Sequence, residues 1–333
     1  MPIRPALFLF FGLTAVLSAQ DTFHTQSREV LVPVTVTDKN GAFVDDLSVS
    51  DFELLDDGVP RPIASMDTFG TGVAPISLVI AVQGAGISTP ALAKIRHIGS
   101  MIVPLITGER GAVAVLAFDS ELHLIQDFTS DNDAVANALD AIKPVGDKTA
   151  RLLDAADNAI HGLAARPNTR RVLLVISESR DRGSKVPLAD VVRDAEQTNV
   201  SIYAASYSVY ATTFVSKPED VPPAGDPDFL AAFTELARLG KTNTVRALAT
   251  ATGGTVESFT RVHALENIVE RLGTELHSQY VLGFVPQTNV PGFHRLEVRL
   301  VNQASSSSAL HVRARPGYEM IAPDPAPGHG ISH

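Results

Sequence analysis

The residues best placed to do chemistry lie in a glycine-rich loop that follows an apolar strand. The stretch "SLVIAVQGAGIS", Ser77 to Ser88, is apolar and β-branched until it stops in Gly84-Ala85-Gly86, and a helical pattern begins a few residues later. A loop of this kind can hold a metal ion, cradle a phosphate with its backbone N–H groups, or turn the chain under a helix. The Gly84-x-Gly86 spacing opens a dinucleotide fingerprint, and Asp119 ends the next strand, where a ribose-binding carboxylate would stand. The fingerprint is incomplete. Thr89 holds the third glycine position, and Asp119 lies 33 residues beyond Gly86, against about 20 in that motif. A turn under a helix is the simpler reading of the glycines.

Other candidate constellations are sparse. Glu178, Arg180, Asp181 and Arg182 form a charged loop that should overhang the same end of the sheet as Gln83 and Ser88. His123 beside Glu121 could serve as a general base, yet no nucleophile matches it. The sequence contains no Gly-x-Ser-x-Gly elbow and no His-Glu-x-x-His. His97 and His161 fall in helical patterns, where boundary packing explains them. His329 and His333 lie in a Pro/Gly-rich tail. With no cysteine, thiolate metal sites, disulfides and a Cys nucleophile are excluded. No catalytic residue and no cofactor is expected.

Three zones of different periodicity must position these residues. From Ser27 to Phe69, Val30, Val32, Val34 and Val36 alternate with other residues at strand spacing. Asn40-Gly41 and Asp57-Gly58 predict turns, the first as a hairpin with both central positions at positive φ. About four strands follow from this zone, too few to bury a core alone. From Pro75 to Gln279, apolar strands alternate with amphipathic helices, one carrying Leu92, Ile95, Ile98, Ile102 and Leu105 with Pro104 expected to kink or end it. Two further helical faces are Leu152, Leu153, Ala156, Ile160 and Leu163, and Leu265, Ile268, Val269, Leu272 and Leu276. Alternation of this kind predicts an α/β fold, a doubly wound, mostly parallel sheet covered on both faces. The short link from Asp119 to Leu122 makes "LHLIQDF" an antiparallel hairpin partner. Thr212 to Asp228 reads as a loop insertion. From Tyr280 to about Met320 the strands return as "YVLGFVP", "FHRLEVRLVN" and "ALHVRARPGY", with Ser305–Ser308 a flexible turn. The end zones each lack partners, so they should pair into one antiparallel β-sandwich with the α/β domain inserted between them. The expected boundaries are 1–19, 27–70, 71–279, 280–320 and a disordered tail over 321–333.

Residues 1–19 have the pattern of a cleaved secretory signal peptide: Arg4, an apolar run from Ala6 to Val16, and small residues at Leu17-Ser18-Ala19. Export to the periplasm or the medium follows, with no integral membrane segment after cleavage. The net charge of −10, or −11 once Arg4 is removed, argues against nucleic acid and anionic lipid as partners.

The element order strand, loop, helix, strand, antiparallel strand, helices, "VLLVIS" strand resembles a von Willebrand factor A domain. "VPVTVTDKNGAFVDDLSVSDFELLDDGVPRPI" before it, and "YVLGFVP", "GFHRLEVRL" and "VRARPGY" after it, resemble the secreted bacterial subfamily of VWFA-related Acidobacterial domain proteins. The resemblance implies an adhesion site in which Asp-x-Ser-x-Ser, a Thr and a later Asp bind a hard cation. Those five positions fall on Ala81, Gln83, Ala85, Thr149 and Glu178. A cation such as Mg²⁺ needs about six oxygen ligands, and two of these residues have no side-chain oxygen. The expectation is a degenerate site that binds no metal unless Asp147 or Asp181 swings in. The functional expectation is an exported, non-enzymatic module for an unknown protein partner, docking through Gln83, Ser88, Thr149, Glu178, Arg180, Asp181 and Arg182. A nucleotide-binding enzyme using Gly84–Gly86, and a structural envelope component, are the alternatives.

Overall fold

The computed structural model describes residues 29–68, 74–87, 89–207, 243–259, 262–287, 290–301 and 310–320. The expected signal peptide, the Thr212–Asp228 insertion, Ser88, the Ser305–Ser308 turn, His329, His333 and the tail lie outside them.

The first four strands are β1 (Val30–Thr37), β2 (Phe52–Asp56), β3 (Val59–Arg61) and β4 (Ser65–Asp67). β2 and β3 are joined by Asp57-Gly58, which hold φ of 52° and 78° as a two-residue primed turn requires. The Asn40-Gly41 turn differs from expectation: only Gly41 has positive φ, at 80°. The Asp38 carboxylate accepts the N–H groups of Asn40 and Ala42 and stabilises a wider turn.

The central unit contains β5 (Ile76–Gln83), α1 (Thr89–His97), α2 (Gly99–Ile102), β6 (Ala112–Phe118), β7 (Leu122–Thr129), α3 (Asn132–Ala141), α4 (Leu152–Ala164), β8 (Arg170–Ser177), α5 (Leu188–Gln197), β9 (Val200–Tyr207), α6 (Thr244–Ala251), β10 (Val256–Phe259) and α7 (Val262–Ser278). The sheet order is β10-β9-β8-β5-β6-β7, parallel except for β7, which pairs antiparallel with β6. Successive side chains of a strand point to opposite faces. Leu78, Ile80 and Val82 therefore pack under α1, α2, α3 and α7, while Val79 and Ala81 pack under α4, α5 and α6. Every residue of β5 is buried, which only a strand covered on both faces shows. Pro104 does not end its helix. The chain passes through a π-helical turn over Val103–Thr107 and stops at Gly108.

The last strands are β11 (Tyr280–Phe284), β12 (Gly292–Leu300), β13 (His311–Ala314) and β14 (Gly317–Met320). Two four-stranded sheets result, β13-β1-β11-β4 and β14-β12-β2-β3, each built from both ends of the chain. Val32, Val34, Phe52, Leu54, Tyr280, Leu282, Phe284 and Leu296 fill the space between them. "ALHVRARPGY" is two strands rather than one. At Arg315-Pro316 the chain leaves the first sheet and enters the second, because proline cannot donate to a continuing ladder.

Sandwich and α/β unit meet through buried polar groups. Arg313 donates to the Glu275 carboxylate, to Thr35 Oγ1 and to the carbonyl of Gly253. Gln279 Nε2 donates to Thr35 Oγ1 at 3.3 Å and to the Tyr203 hydroxyl at 3.2 Å, and Arg170 donates to Gln279 Oε1 at 2.6 Å. Arg315 Nη1 donates to the Glu196 carbonyl, and Glu196 Oε2 accepts the Glu319 N–H at 3.0 Å. Burial pushes the Glu196 carboxyl up to about 8, against the opposing pull of Arg315.

Candidate functional site

In an open α/β sheet the strand order reverses beside the first strand, and a crevice opens at the carboxyl ends. Here that place is the end of β5 between β6 and β8. Gln83, its last residue, is 1% exposed. Its amide Nε2 donates to Ala85 O at 2.8 Å, and its Oε1 accepts the Glu178 N–H at 3.0 Å. One neutral side chain thus ties the β5 loop to the β8 loop. Ala81 and Ala85 are buried in the layer beneath α4 and carry no donor atoms. The chain turns at Gly86 with φ of 65°, a conformation a side chain would strain.

The loops from Val145 to Arg151 and from Glu178 to Ser184 meet over this crevice. Ala150 and Arg182 exchange backbone hydrogen bonds at 2.9 Å, which ties the loop carrying Thr149 to the loop carrying Glu178 and Asp181. Asp147 Oδ1 accepts from the Thr149 hydroxyl and from the backbone N–H groups of Thr149 and Lys148. The Thr149 N–H first, then that of Lys148, holds its carboxyl below the usual range. Asp181 is turned inward. It accepts from Leu153 N at 3.2 Å and from the Ser184 hydroxyl at 2.5 Å, satisfying the first turn of α4. Asp154 returns the arrangement by accepting Lys185 N and Val186 N, each at 2.9 Å. Glu178 Oε2 lies 2.6 Å from Arg182 Nη2, in a pair whose arginine is 43% exposed. Arg180 is exposed in the same loop.

Sequence reasoning missed the cross-link made by Gln83 and the helix-capping role of Asp181. It also missed Tyr207, the last residue of β9. Among the described residues its buried hydroxyl has no hydrogen-bond partner. Burial first, and then the Glu178 carboxylate, push that hydroxyl upward, while Arg182 opposes them. Its only sequence signal was its place at the carboxyl end of the apolar strand "SIYAASY".

The remaining candidates have local partners. Asp119 Oδ1 accepts the Glu121 N–H at 2.8 Å, and its Oδ2 lies 3.4 Å from His123 Nε2, which makes it the clasp of the β6–β7 hairpin. The Gly84 N–H donates to Phe118 O and the Gly86 N–H to Val145 O. Both glycine amides are therefore committed to backbone partners, whereas a phosphate cradle needs them free. His97 pairs with Glu266 at 2.9 Å, and His161 Nδ1 lies 2.8 Å from Asp157 O.

No family model and no curated protein matches the sequence. Solved structures with some likeness include a von Willebrand factor type A protein from Catenulispora acidiphila, at 10% identity and a TM-score of 0.47, over 81% of this chain and 73% of the other. The protein BatB from Bacteroides thetaiotaomicron has 15% identity and a TM-score of 0.44, over 60% and 98%. Proximal thread matrix protein 1 from the mussel byssus, whose structure has a zinc-occupied MIDAS motif, has 12% identity and a TM-score of 0.46, over 63% of this chain and 47% of its own. These values are too low to carry anything about function. The strand order and the antiparallel β7 are those of the doubly wound, mostly parallel α/β fold that the sequence resemblance implies.

Proposed function

We propose that the protein is an exported, non-enzymatic interaction module. Its von Willebrand factor A-type domain would engage a protein partner on the carboxyl-end face without a metal ion. The observation that carries this reading is the buried Gln83 amide. It holds the β5 and β8 loops together where the family's ion would otherwise do so. The donor set does not fit a hard cation. Ala81 and Ala85 offer no side-chain oxygen, the Gln83 oxygen is already an acceptor, and Asp181 faces the first turn of α4. Mg²⁺ keeps near-octahedral oxygen coordination and gives up its waters reluctantly. Arg182 then becomes the group that a partner's carboxylate would meet, in competition with Glu178.

Thermal unfolding of the mature protein with Mg²⁺, Mn²⁺ or NAD tests the metal and nucleotide arms. A ligand at 100-fold over its Kd would add about 2.7 kcal/mol; because none of the three is expected to bind, Tm should not shift. A rise with Mn²⁺ contradicts the metal-free reading, and a rise with NAD supports the nucleotide alternative. Partner capture that survives chelator but fails in an Arg180→Ala/Arg182→Ala variant supports docking. Export follows from the leader pattern of residues 1–19, and N-terminal sequencing of periplasmic material tests it. No helix among the described residues is long and apolar enough to cross a membrane.

A further inference from the structure

His294, on β12 in the sandwich, is 5% exposed and has both ring nitrogens opposite acceptors. Nε2 lies 2.8 Å from the carbonyl oxygen of Val290, and Nδ1 lies 2.8 Å from Asp57 Oδ2. A carbonyl has no proton to give, so Nε2 must carry one. The neutral ring would then turn the Nδ1 lone pair toward a carboxylate oxygen at hydrogen-bond distance, which is repulsive. Only the imidazolium satisfies both contacts. The surroundings are built for it. The Tyr318 ring on β14 stacks on the imidazole at 5.2 Å and 22°. Asp57 Oδ1 accepts the Arg295 N–H at 2.8 Å, which aims Oδ2 at the histidine. Asp56, on β2, adds a second negative charge and is held by Arg61 at 3.2 Å and by the Tyr318 hydroxyl at 3.3 Å. This trio of Asp56, Asp57 and His294 could be read as a metal cluster. These hydrogen bonds and the Arg61 ion pair already engage its carboxylates and both ring nitrogens.

We propose that His294 is a proton-operated pin that clamps the β2–β3 turn and the segment before β12 onto this end of the sandwich when charged, and releases them when it loses its proton. The pin joins pieces far apart in sequence: Asp57 at positive φ in the turn, Val290 ahead of β12, and Tyr318 on β14. Although burial alone would lower the affinity of the ring for a proton, the hydrogen bonds to Val290 and Asp57 and the charges of Asp57 and Asp56 raise it above 6.5. The sign follows from linkage. The clamp contributes fully below the unfolded value of about 6.5, and its contribution is lost as pH rises through the higher folded value.

Nitrogen-15 NMR of the imidazole rings in the intact protein tests this directly. The expected result is two protonated nitrogens on His294 at pH 6.5 and a titration midpoint above those of the exposed histidines. In Asp57→Asn the midpoint should fall by about one pH unit, a tenfold change in acid constant. A wild-type midpoint at or below 6.5, or an unprotonated Nδ1 at pH 6, overturns the proposal. The wild-type measurement decides the matter even where the variant does not fold.

Discussion

The two ends of the α/β sheet deal with charge in opposite ways. At the carboxyl ends, where the sequence resemblance implies an ion, the buried group is a neutral amide, and the charges of Arg182 and Asp147 stay near water. At the junction with the sandwich, Glu275, Glu196 and Arg315 are 3–5% exposed, and Arg170 and Arg313 reach in beside them. A buried charge is costly unless paired, and a broken buried pair is worse than none. The junction therefore fixes how the two units dock, whereas rearranging the exposed charges of the carboxyl-end face, where docking is proposed, costs little.

The largest effect should come from breaking the junction. Arg313→Met strands the Glu275 carboxylate and should cost about 3–5 kcal/mol in urea unfolding. Much of that loss should return in an Arg313→Met/Glu275→Leu double variant. Additive losses would mean the pair does not hold the units together.

Glu196 sharpens the same contrast through pH. Its folded value, raised to about 8, exceeds the ordinary 4.5, so the native state binds the extra proton. Stability should therefore fall as pH rises from about 4.5 to about 8. Glu196→Gln should flatten that fall, so that the variant gains on the wild type as pH rises toward 8 and gains nothing at pH 4.5. An unchanged pH profile removes Glu196 from the account.

On the carboxyl-end face, Gln83→Ala leaves the Glu178 N–H unpaired and should cost about 1–3 kcal/mol. Smaller still, Arg182→Ala removes a half-exposed pair and should move stability by no more than about 1 kcal/mol. Its effect should appear in partner capture, and Glu178→Gln, which frees Arg182, should strengthen capture. Equal capture by all three forms takes docking away from this loop.

Much of the fold could be read from hydrophobic patterning, because β5 is a nearly unbroken apolar run that is buried throughout, and burial follows one face of α4 and α7. The hairpin at β6–β7 followed from a link too short for a helix, and the interleaved sandwich from two strand zones that each lacked partners. Pairing across the chain was not readable. Gln83 and Glu178 are 95 residues apart, and Arg315 and Glu196 are 119 apart. No local pattern records such contacts. The inward turn of Asp181 was hidden for the same reason, since its target is the first turn of a helix 28 residues earlier. "VRARPGY" looked like one strand because alternation continues through the corner at Arg315-Pro316 where the chain changes sheets. At the candidate site, residue types show only that Ala81 and Ala85 lack a side-chain oxygen, while the Gln83 cross-link needed coordinates.

Calorimetric titration of the protein with MnCl₂ is the most direct test of the proposed metal-free carboxyl-end face. The predicted result is no saturable heat up to millimolar metal. One-to-one uptake at micromolar concentration, abolished by Thr149→Ala or Glu178→Ala, would contradict it.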